Sequence, residues 1–216
     1  MDITVANVSV VVTAQQHNPA ILHPSFLKAQ GIVPQDWQDD PQTISTPVLA
    51  RVGFTNGVEF VVQPQRLKIT QLGSEENNLR NSCLPNITKN YVLALPHVKH
   101  TAIGINVSCF IKDSSPGSTL TEQFITKGTW NDKTLKPESC EVKLTYGVPE
   151  AHLQLSCQPG ELRIDPSAPV PGIVLNGNYH TDLPDGRVIE TIEESLSRFQ
   201  ERYDHFFELL NQIFGN

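Results

Sequence analysis

The sequence has few cysteines, no basic run and no long apolar run, and each of these absences excludes a class of protein. The four cysteines among the 216 residues form no CxxC pair and no regular spacing. Metal-binding and disulfide-rich domains usually show such patterns. The cysteines therefore indicate reduced thiols buried as small apolar residues in a cytosolic protein. They are Cys83, Cys109, Cys140 and Cys157.

Charge and hydropathy argue against nucleic acids and membranes as partners. The net charge is −7 and the pI is near 5.4, whereas affinity for phosphate backbones depends on Lys and Arg. No apolar run approaches the roughly 20 residues that cross a membrane. Residues 8–12 are apolar but lack the basic flank and cleavage site of a signal peptide. We expect a cytoplasmic protein that does not bind membranes and has no general affinity for nucleic acids.

Known catalytic and phosphate-binding motifs are also missing. The sequence contains no GxGxxG, Walker A, GxSxG or HExxH motif. These motifs supply the phosphate loops, nucleophiles and zinc ligands of common enzyme classes. The sequence therefore does not favour an enzyme, and it predicts neither a cofactor nor a metal.

Residues 185–214 carry the strongest helical pattern. Their apolar positions recur in steps of three and four, which places one continuous stripe on one face of a long C-terminal helix. The stripe could pack within the chain or pair with another chain as a coiled coil. Phe207, Leu209 and Phe214 widen the apolar face, which favours packing within the chain. Phe207 and Phe214 are the predicted contacts of a homodimer, if one forms. The stripe consists of Ile189, Ile192, Leu196, Phe199, Tyr203, Phe206, Leu210 and Ile213.

Most of the remaining chain has the pattern of β-strands. Residues 3–13 and 66–72 are rich in β-branched and apolar residues, and residues 85–95 predict a helix. Between 48 and 62 apolar and polar residues alternate on both sides of Thr55-Asn56-Gly57. A three-residue loop with Gly57 in the left-handed region predicts that Val52 lies opposite Phe60. The same alternation predicts that Val48 shares the face of Val52.

Four kinds of segment recur in the same order, roughly 90 to 99 residues apart, which predicts an internal duplication. The predicted fold is α+β, with antiparallel sheet units of order β-α-βββ-α occurring twice and the long C-terminal helix packed on the sheet. Residues 1–98 would be the first repeat and residues 99–216 the second, forming one compact pseudo-twofold domain. Segment 7–12 matches 106–111, segment 50–57 matches 140–147, and segment 63–69 matches 158–164. Segment 26–31 with the later Trp37 matches segment 124–128 with the later Trp130.

The richest polar chemistry lies in the loop after the first strand, which contains His17, His23, Asp36 and Trp37. Imidazoles and carboxylates can hold a metal or transfer protons. However, the spacing of His17 and His23 matches no compact metal signature, and the corresponding loop of the second repeat has no histidine. A structural role for this loop is therefore favoured.

Two functions fit these observations. The first is a non-catalytic, cytosolic protein-interaction module of the adaptor, antitoxin, immunity or chaperone type. The alternative is a small-molecule-binding protein or enzyme, with an apolar cavity between the sheet and the C-terminal helix. The residues predicted to line that cavity are Val142, Leu144, Phe199 and Tyr203, with Tyr179 and His180 adding polar groups.

Overall fold

The computed structural model describes residues 3–74, 78–126, 128, 137–163 and 168–215. Within these residues nine strands form one sheet and five α-helices pack against it, so the predicted α+β class is confirmed. Trp130 and Ile164, which the repeat comparison includes, lie outside the described residues. The strands are β1 (Ile3–Ala14), β2 (Ile44–Ser45), β3 (Ala50–Gly53), β4 (Val58–Gln63), β5 (Arg66–Leu72), β6 (His100–Lys112), β7 (Val142–Val148), β8 (Ala151–Leu162) and β9 (Val170–Asp182). The helices are α1 (Pro24–Ala29), α2 (Leu84–Ala94), α3 (Pro116–Phe124), α4 (Val188–Ser197) and α5 (Phe199–Phe214).

The sheet is antiparallel throughout its described strands, in the order β2-β3-β4-β5-β1-β6-β9-β8-β7. Its centre is the pair β1–β6, in which Val8 lies opposite Val107. Outward from that pair, the strand order is β1, β5, β4, β3, β2 on one side and β6, β9, β8, β7 on the other. Apart from the two-residue strand β2, the strands of the two sides follow the same order along the chain.

The first hairpin forms as its alternation predicts. Val52 lies opposite Phe60, and the Phe54 N–H donates to the Val58 carbonyl at 2.8 Å. Gly57 closes the loop with φ of +81°, a conformation that glycine adopts without steric cost. Val48 differs from the prediction, because β3 begins only at Ala50 and Val48 is 66% exposed.

One face of the sheet is apolar and packs against the helices. Val8, Val107 and Leu155 of this face are fully buried. Helices α2, α4 and α5 contact the central strands β1 and β6, and α3 contacts β8 and β9. Gly177 lies opposite Val107 on the same face, where the ring of Phe206 from α5 lies directly above it. Burying a phenylalanine ring in this way stabilises the fold by roughly 1.5–3 kcal/mol. The opposite face carries mainly polar residues, including Asn106, Ser108, Gln154, Asn176, Asn178 and His180.

The predicted long C-terminal helix is instead two helices, α4 and α5, that meet at Arg198. Arg198 has φ −88° and ψ 10°, in the bridge region between helix and extended backbone. The hydroxyl of Ser197 donates to the Glu194 carbonyl at 2.7 Å. Such local side-chain bonds compete with helix continuation. Both helices contact β6, and α4 also contacts α2.

The break also changes which residues of the stripe are buried. Ile192, Leu196, Phe199, Phe206 and Leu210 are buried as predicted. In α5, however, Arg202 and Phe214 are buried, whereas Tyr203 and Ile213 remain half-exposed.

Candidate functional site

The sheet ends on one side in β7, a regular edge strand of seven residues. Its pairing with β8 is continuous from Val142 opposite Cys157 to Val148 opposite Ala151. No described residue pairs with the other side of β7. The unpaired backbone groups of such an edge can hydrogen-bond to a further strand. The opposite edge of the sheet is less suitable, because β2 has only two residues.

The side chains of β7 alternate between a half-buried apolar row and an exposed row. The apolar row packs against the core. Natural edge strands are usually blocked by charges, proline or bulges, but β7 contains one charge, Lys143, and no proline. The apolar row is Val142, Leu144, Tyr146 and Val148, and the exposed row is Lys143, Thr145 and Gly147.

A cavity of about 660 Å³ lies beside the C-terminal end of β7, where Val148 and Pro149 line it. The opposite wall contains Arg202, whose residue surface is only 5% exposed. Its Nη1–H donates to the Ser195 hydroxyl at 2.7 Å, and its guanidinium carbon lies 5.8 Å from the ring centroid of Tyr179. No carboxylate among the described residues forms an ion pair with Arg202. A buried cation normally has such a partner.

The other arginines of this cavity are paired. Arg80 donates two bonds of 2.7 Å to the carboxylate of Asp204, and this contact lowers the pKa of Asp204. Arg198 lies 3.0 Å from Glu150. Burial, and then the charge of Arg198, lowers the pKa of Arg202. Arg202 is therefore the arginine of this cavity that has no direct carboxylate partner among the described residues.

Tyr179, whose ring lies beside Arg202, forms a polar pair with His205. The Tyr179 hydroxyl lies 2.7 Å from His205 Nδ1. Burial raises the pKa of Tyr179, so its phenol stays protonated at neutral pH and acts as a hydrogen-bonding group rather than as a nucleophile. Arg202, Tyr179 and His205 together are suited to binding a polar or anionic group.

The residues predicted to line a cavity under the helix are distributed over separate places. Tyr179 faces the helices and lines the cavity beside Arg202, whereas His180 lies on the opposite face of the sheet. Phe199 is buried in the core, and Tyr203 lines another cavity with Thr4. Val142 and Leu144 belong to the edge strand β7. Tyr179 and His180 are separated because successive side chains of a strand point to opposite faces.

The polar loop residues are also separated. His23 caps α1, where its Nδ1 accepts from the Phe26 N–H at 2.9 Å. Trp37 packs edge-on against Phe54, with ring centroids 5.1 Å apart, and Asp36 is exposed. His17 is 2% exposed. Its ring neighbour is His100, which follows much later in the sequence, with ring centroids 5.7 Å apart.

The two predicted dimer contacts differ in accessibility. Phe214 is 6% exposed and packs against Phe124, with ring centroids 6.1 Å apart. Phe207 is half-buried and lies beside Tyr203, at 4.8 Å between ring centroids. Only Phe207 of this pair offers accessible ring surface to a second chain.

Sequence reasoning missed Arg202, and it interpreted His100 as part of the junction between the repeats rather than as a ligand. Arg202 had a detectable signal, because it lies three residues after Phe199 and four before Phe206, at an inward helical position. Inward helical positions are normally apolar, so a charged residue at such a position is a candidate for a functional role. His100 had no local signal, because its proximity to His17 depends on the pairing of β1 with β6.

Comparison with known proteins finds no match among protein families, curated proteins or solved structures. Among the described residues, no helix has the length and apolarity to cross a membrane. The described part of the chain also contains no group of three or more His, Cys, Asp or Glu side chains placed to hold a metal ion.

Proposed function

We propose that the protein is a non-catalytic interaction module that binds an extended segment of a partner protein along β7. The observation that carries this proposal is the regular edge strand of seven residues with its half-buried apolar row. Addition of a strand to a sheet edge gives affinity through backbone hydrogen bonds and specificity through alternate side chains. The partner segment would therefore alternate apolar and polar residues.

The backbone geometry of β7 indicates which positions would face the partner. Val148 and Ala151 flank the two-residue turn Pro149–Glu150, so they form a hydrogen-bonded pair. The bonding direction alternates along a strand, and the backbone groups of Thr145 therefore point away from β8. An acidic residue of the partner opposite Lys143 would complement the one charge of this strand.

The same proposal includes the internal duplication, with repeats at residues 1–98 and 99–216. Two observations support it. Apart from β2, the strand order is the same outward from both central strands, and the matching segments 7–9 and 106–108 pair with each other around Val8 and Val107. In this interpretation the two repeats are themselves joined by edge pairing of β1 with β6, which is the mode proposed for the partner.

The test uses a displayed library of random 12-residue peptides selected against the parent protein. We expect enrichment of alternating apolar sequences whose binding weakens at least tenfold in Thr145→Pro, because proline removes the outward N–H and obstructs the edge. Thr145→Val is the matched control, since it retains the backbone donor and should bind normally. Peptides that bind Thr145→Pro as well as the parent would contradict the proposal.

Native mass spectrometry of the same proteins distinguishes a second copy from a partner. We expect both the parent and Thr145→Pro to be monomers in the absence of peptide. A parent dimer that becomes monomeric in Thr145→Pro would mean that a second copy occupies the edge, and the partner proposal would fail.

One observation favours the alternative function, small-molecule binding, at a different place. Arg202 is buried, lacks a carboxylate partner among the described residues, and lines a cavity of about 660 Å³. Such a cation suits a small carboxylate or phosphate. Citrate and phosphate should raise the melting temperature of the parent more than chloride at equal ionic strength, and should not do so for Arg202→Lys. Equal shifts in both proteins would exclude this function.

A further inference from the structure

Two buried histidines lie where the central strands of the sheet meet. His100 begins β6 and lies opposite Ala14, the last residue of β1, and His17 follows three residues after Ala14. Both residues are buried, with 2% exposure for His17 and 6% for His100. The two rings face each other at 5.7 Å between centroids, with 46° between their planes.

Three of the four ring nitrogens have no hydrogen-bond partner among the described residues. His17 Nε2 lies 3.3 Å from the Val12 carbonyl oxygen. A carbonyl only accepts, so this nitrogen carries the proton and Nδ1 presents a lone pair. That Nδ1 and both nitrogens of His100 are buried without a partner. Because buried polar atoms nearly always have partners, unpaired nitrogens on two neighbouring rings point to a ligand that both rings contact.

We propose that His17 Nδ1 and one ring nitrogen of His100 together bind a single first-row transition-metal ion, of which Zn²⁺ is the reference case. Imidazole is a preferred ligand of Zn²⁺, Cu²⁺ and Ni²⁺. For metal–nitrogen bonds of about 2.0–2.1 Å at a tetrahedral ion, two imidazole centroids lie roughly 5 Å apart. The observed 5.7 Å between the centroids is close to this separation.

The surroundings of His17 support this assignment. Metal-binding histidines commonly donate their second ring nitrogen to a backbone carbonyl, which fixes the tautomer and the ring orientation. The Val12 carbonyl occupies that position for His17.

The remaining coordination positions would be supplied from outside the protein. No third His, Cys, Asp or Glu among the described residues joins the pair. His100 also lines a cavity of about 520 Å³, whose wall includes Gln15, Lys99 and Asp185. Water or a small anion could reach the ion through this cavity. A site with open positions is typical of exchangeable rather than purely structural metals.

The test must separate this pair from a second pair of histidines on the other face of the sheet. His152 and His180 lie directly opposite each other on β8 and β9, and His152 is exposed whereas His180 is half-exposed. All titrations therefore use a His180→Gln background. Calorimetry with ZnCl₂ and absorption spectra with CoCl₂ at pH 7.5 should show one ion per chain and the bands of tetrahedral Co²⁺.

The expected effect of removing either ligand is at least a tenfold loss of affinity in His17→Gln and in His100→Gln. His97→Gln is the matched control, because His97 is an exposed histidine three residues from His100 and should not change binding. Absence of binding at one ion per chain, or binding that survives His17→Gln, would overturn the proposal.

A measurement on the unmutated residues covers the case in which a variant does not fold. In the His180→Gln protein, ¹⁵N NMR should show that Zn²⁺ shifts the ring nitrogens of His17 and His100 and leaves the other histidine rings unchanged. Shifts confined to other histidines would overturn the proposal. The metal site and the β7 proposal rest on different residues, so either can fail alone.

Discussion

At the scale of single residues, Gly177 determines how closely α5 approaches the sheet. A Cβ at this position would lie 2.5 Å from Cε2 of Phe206, a ring that is fully buried and cannot move aside freely. We expect Gly177→Ala to reduce the free energy of unfolding by about 1–3 kcal/mol. Urea denaturation measures this loss.

The control for Gly177 is Gly147, which lies on the exposed row of β7. A Cβ added at Gly147 would have no atom within 4 Å, so Gly147→Ala should be close to neutral. In a Phe206→Leu background the cost of Gly177→Ala should shrink, because the smaller side chain removes the contact. An undiminished cost in that background would show that the ring is not the cause.

Arg202 and His100 illustrate what the sequence alone allows at this scale. Arg202 occupies an inward helical position and could be found from helical spacing. The pairing of His17 with His100 depends on a contact between distant parts of the chain, which no local pattern contains. The sequence therefore identified His17 as chemically interesting, but it grouped His17 with residues of the same loop and not with His100.

At the scale of elements, the Thr55-Asn56-Gly57 turn fixes the register of the first hairpin. Gly57 has φ of +81°, and an added Cβ would meet only ordinary contacts of 3.6 Å or more. The cost of Gly57→Ala therefore comes from the backbone, and we expect about 1 kcal/mol of destabilisation. Gly57→Asn should cost less, because asparagine tolerates this conformation. Thermal unfolding of the two variants tests the order, and equal costs would contradict it.

The stripe on α4 gives a second prediction at this scale. Leu196 is 4% exposed in the core, so Leu196→Asp would bury an unpaired charge. We expect a loss of at least about 4 kcal/mol, which would unfold a domain of ordinary stability. Circular dichroism provides the measurement. Ser197→Asp adds the same charge at an exposed position and should leave the protein folded.

The elements also show which sequence patterns are reliable. The first hairpin was predictable because alternation and a glycine turn both act locally. The break at Arg198 was not predictable from periodicity, because the apolar steps of three and four continue across it. The competing bond from Ser197 to the Glu194 carbonyl is a local effect that such periodicity does not register.

At the scale of the whole molecule, the buried histidines make stability depend on pH. Burial lowers the pKa of His100 to about 4, below the usual value near 6.5. Between these values the unfolded chain binds more protons, so stability is complete above pH 6.5 and falls as the pH drops toward 4. The loss should be about 3 kcal/mol for metal-free protein.

Denaturation of chelator-treated protein between pH 4 and 7 measures this dependence. His100→Gln should flatten the curve, whereas His97→Gln should retain the parent slope. If His100→Gln keeps the full slope of the free energy of unfolding against pH, other groups cause the acid sensitivity. Saturating Zn²⁺ should steepen the dependence if the metal site forms, since protons then compete with the ion.

The arrangement of the whole sheet was only partly predictable. The recurrence of segments predicted two similar halves, but which strands meet at the centre depends on long-range pairing. The pairing of Val8 with Val107 shows that β1 and β6 are the strands that meet at the centre. The free edge at β7 follows from it, because the central pairing leaves β2 and β7 as the outermost strands.

The position of β1 at the centre has a consequence for biosynthesis. Its neighbours are β5 and β6, and the second of these is translated only after about 100 further residues. At about 5–20 residues per second, a ribosome needs roughly 5 to 20 s to complete that distance. During this interval the apolar side chains of Val8, Val10 and Val12 lack their final neighbour. The nascent chain therefore passes through a period in which its first strand is most exposed to aggregation.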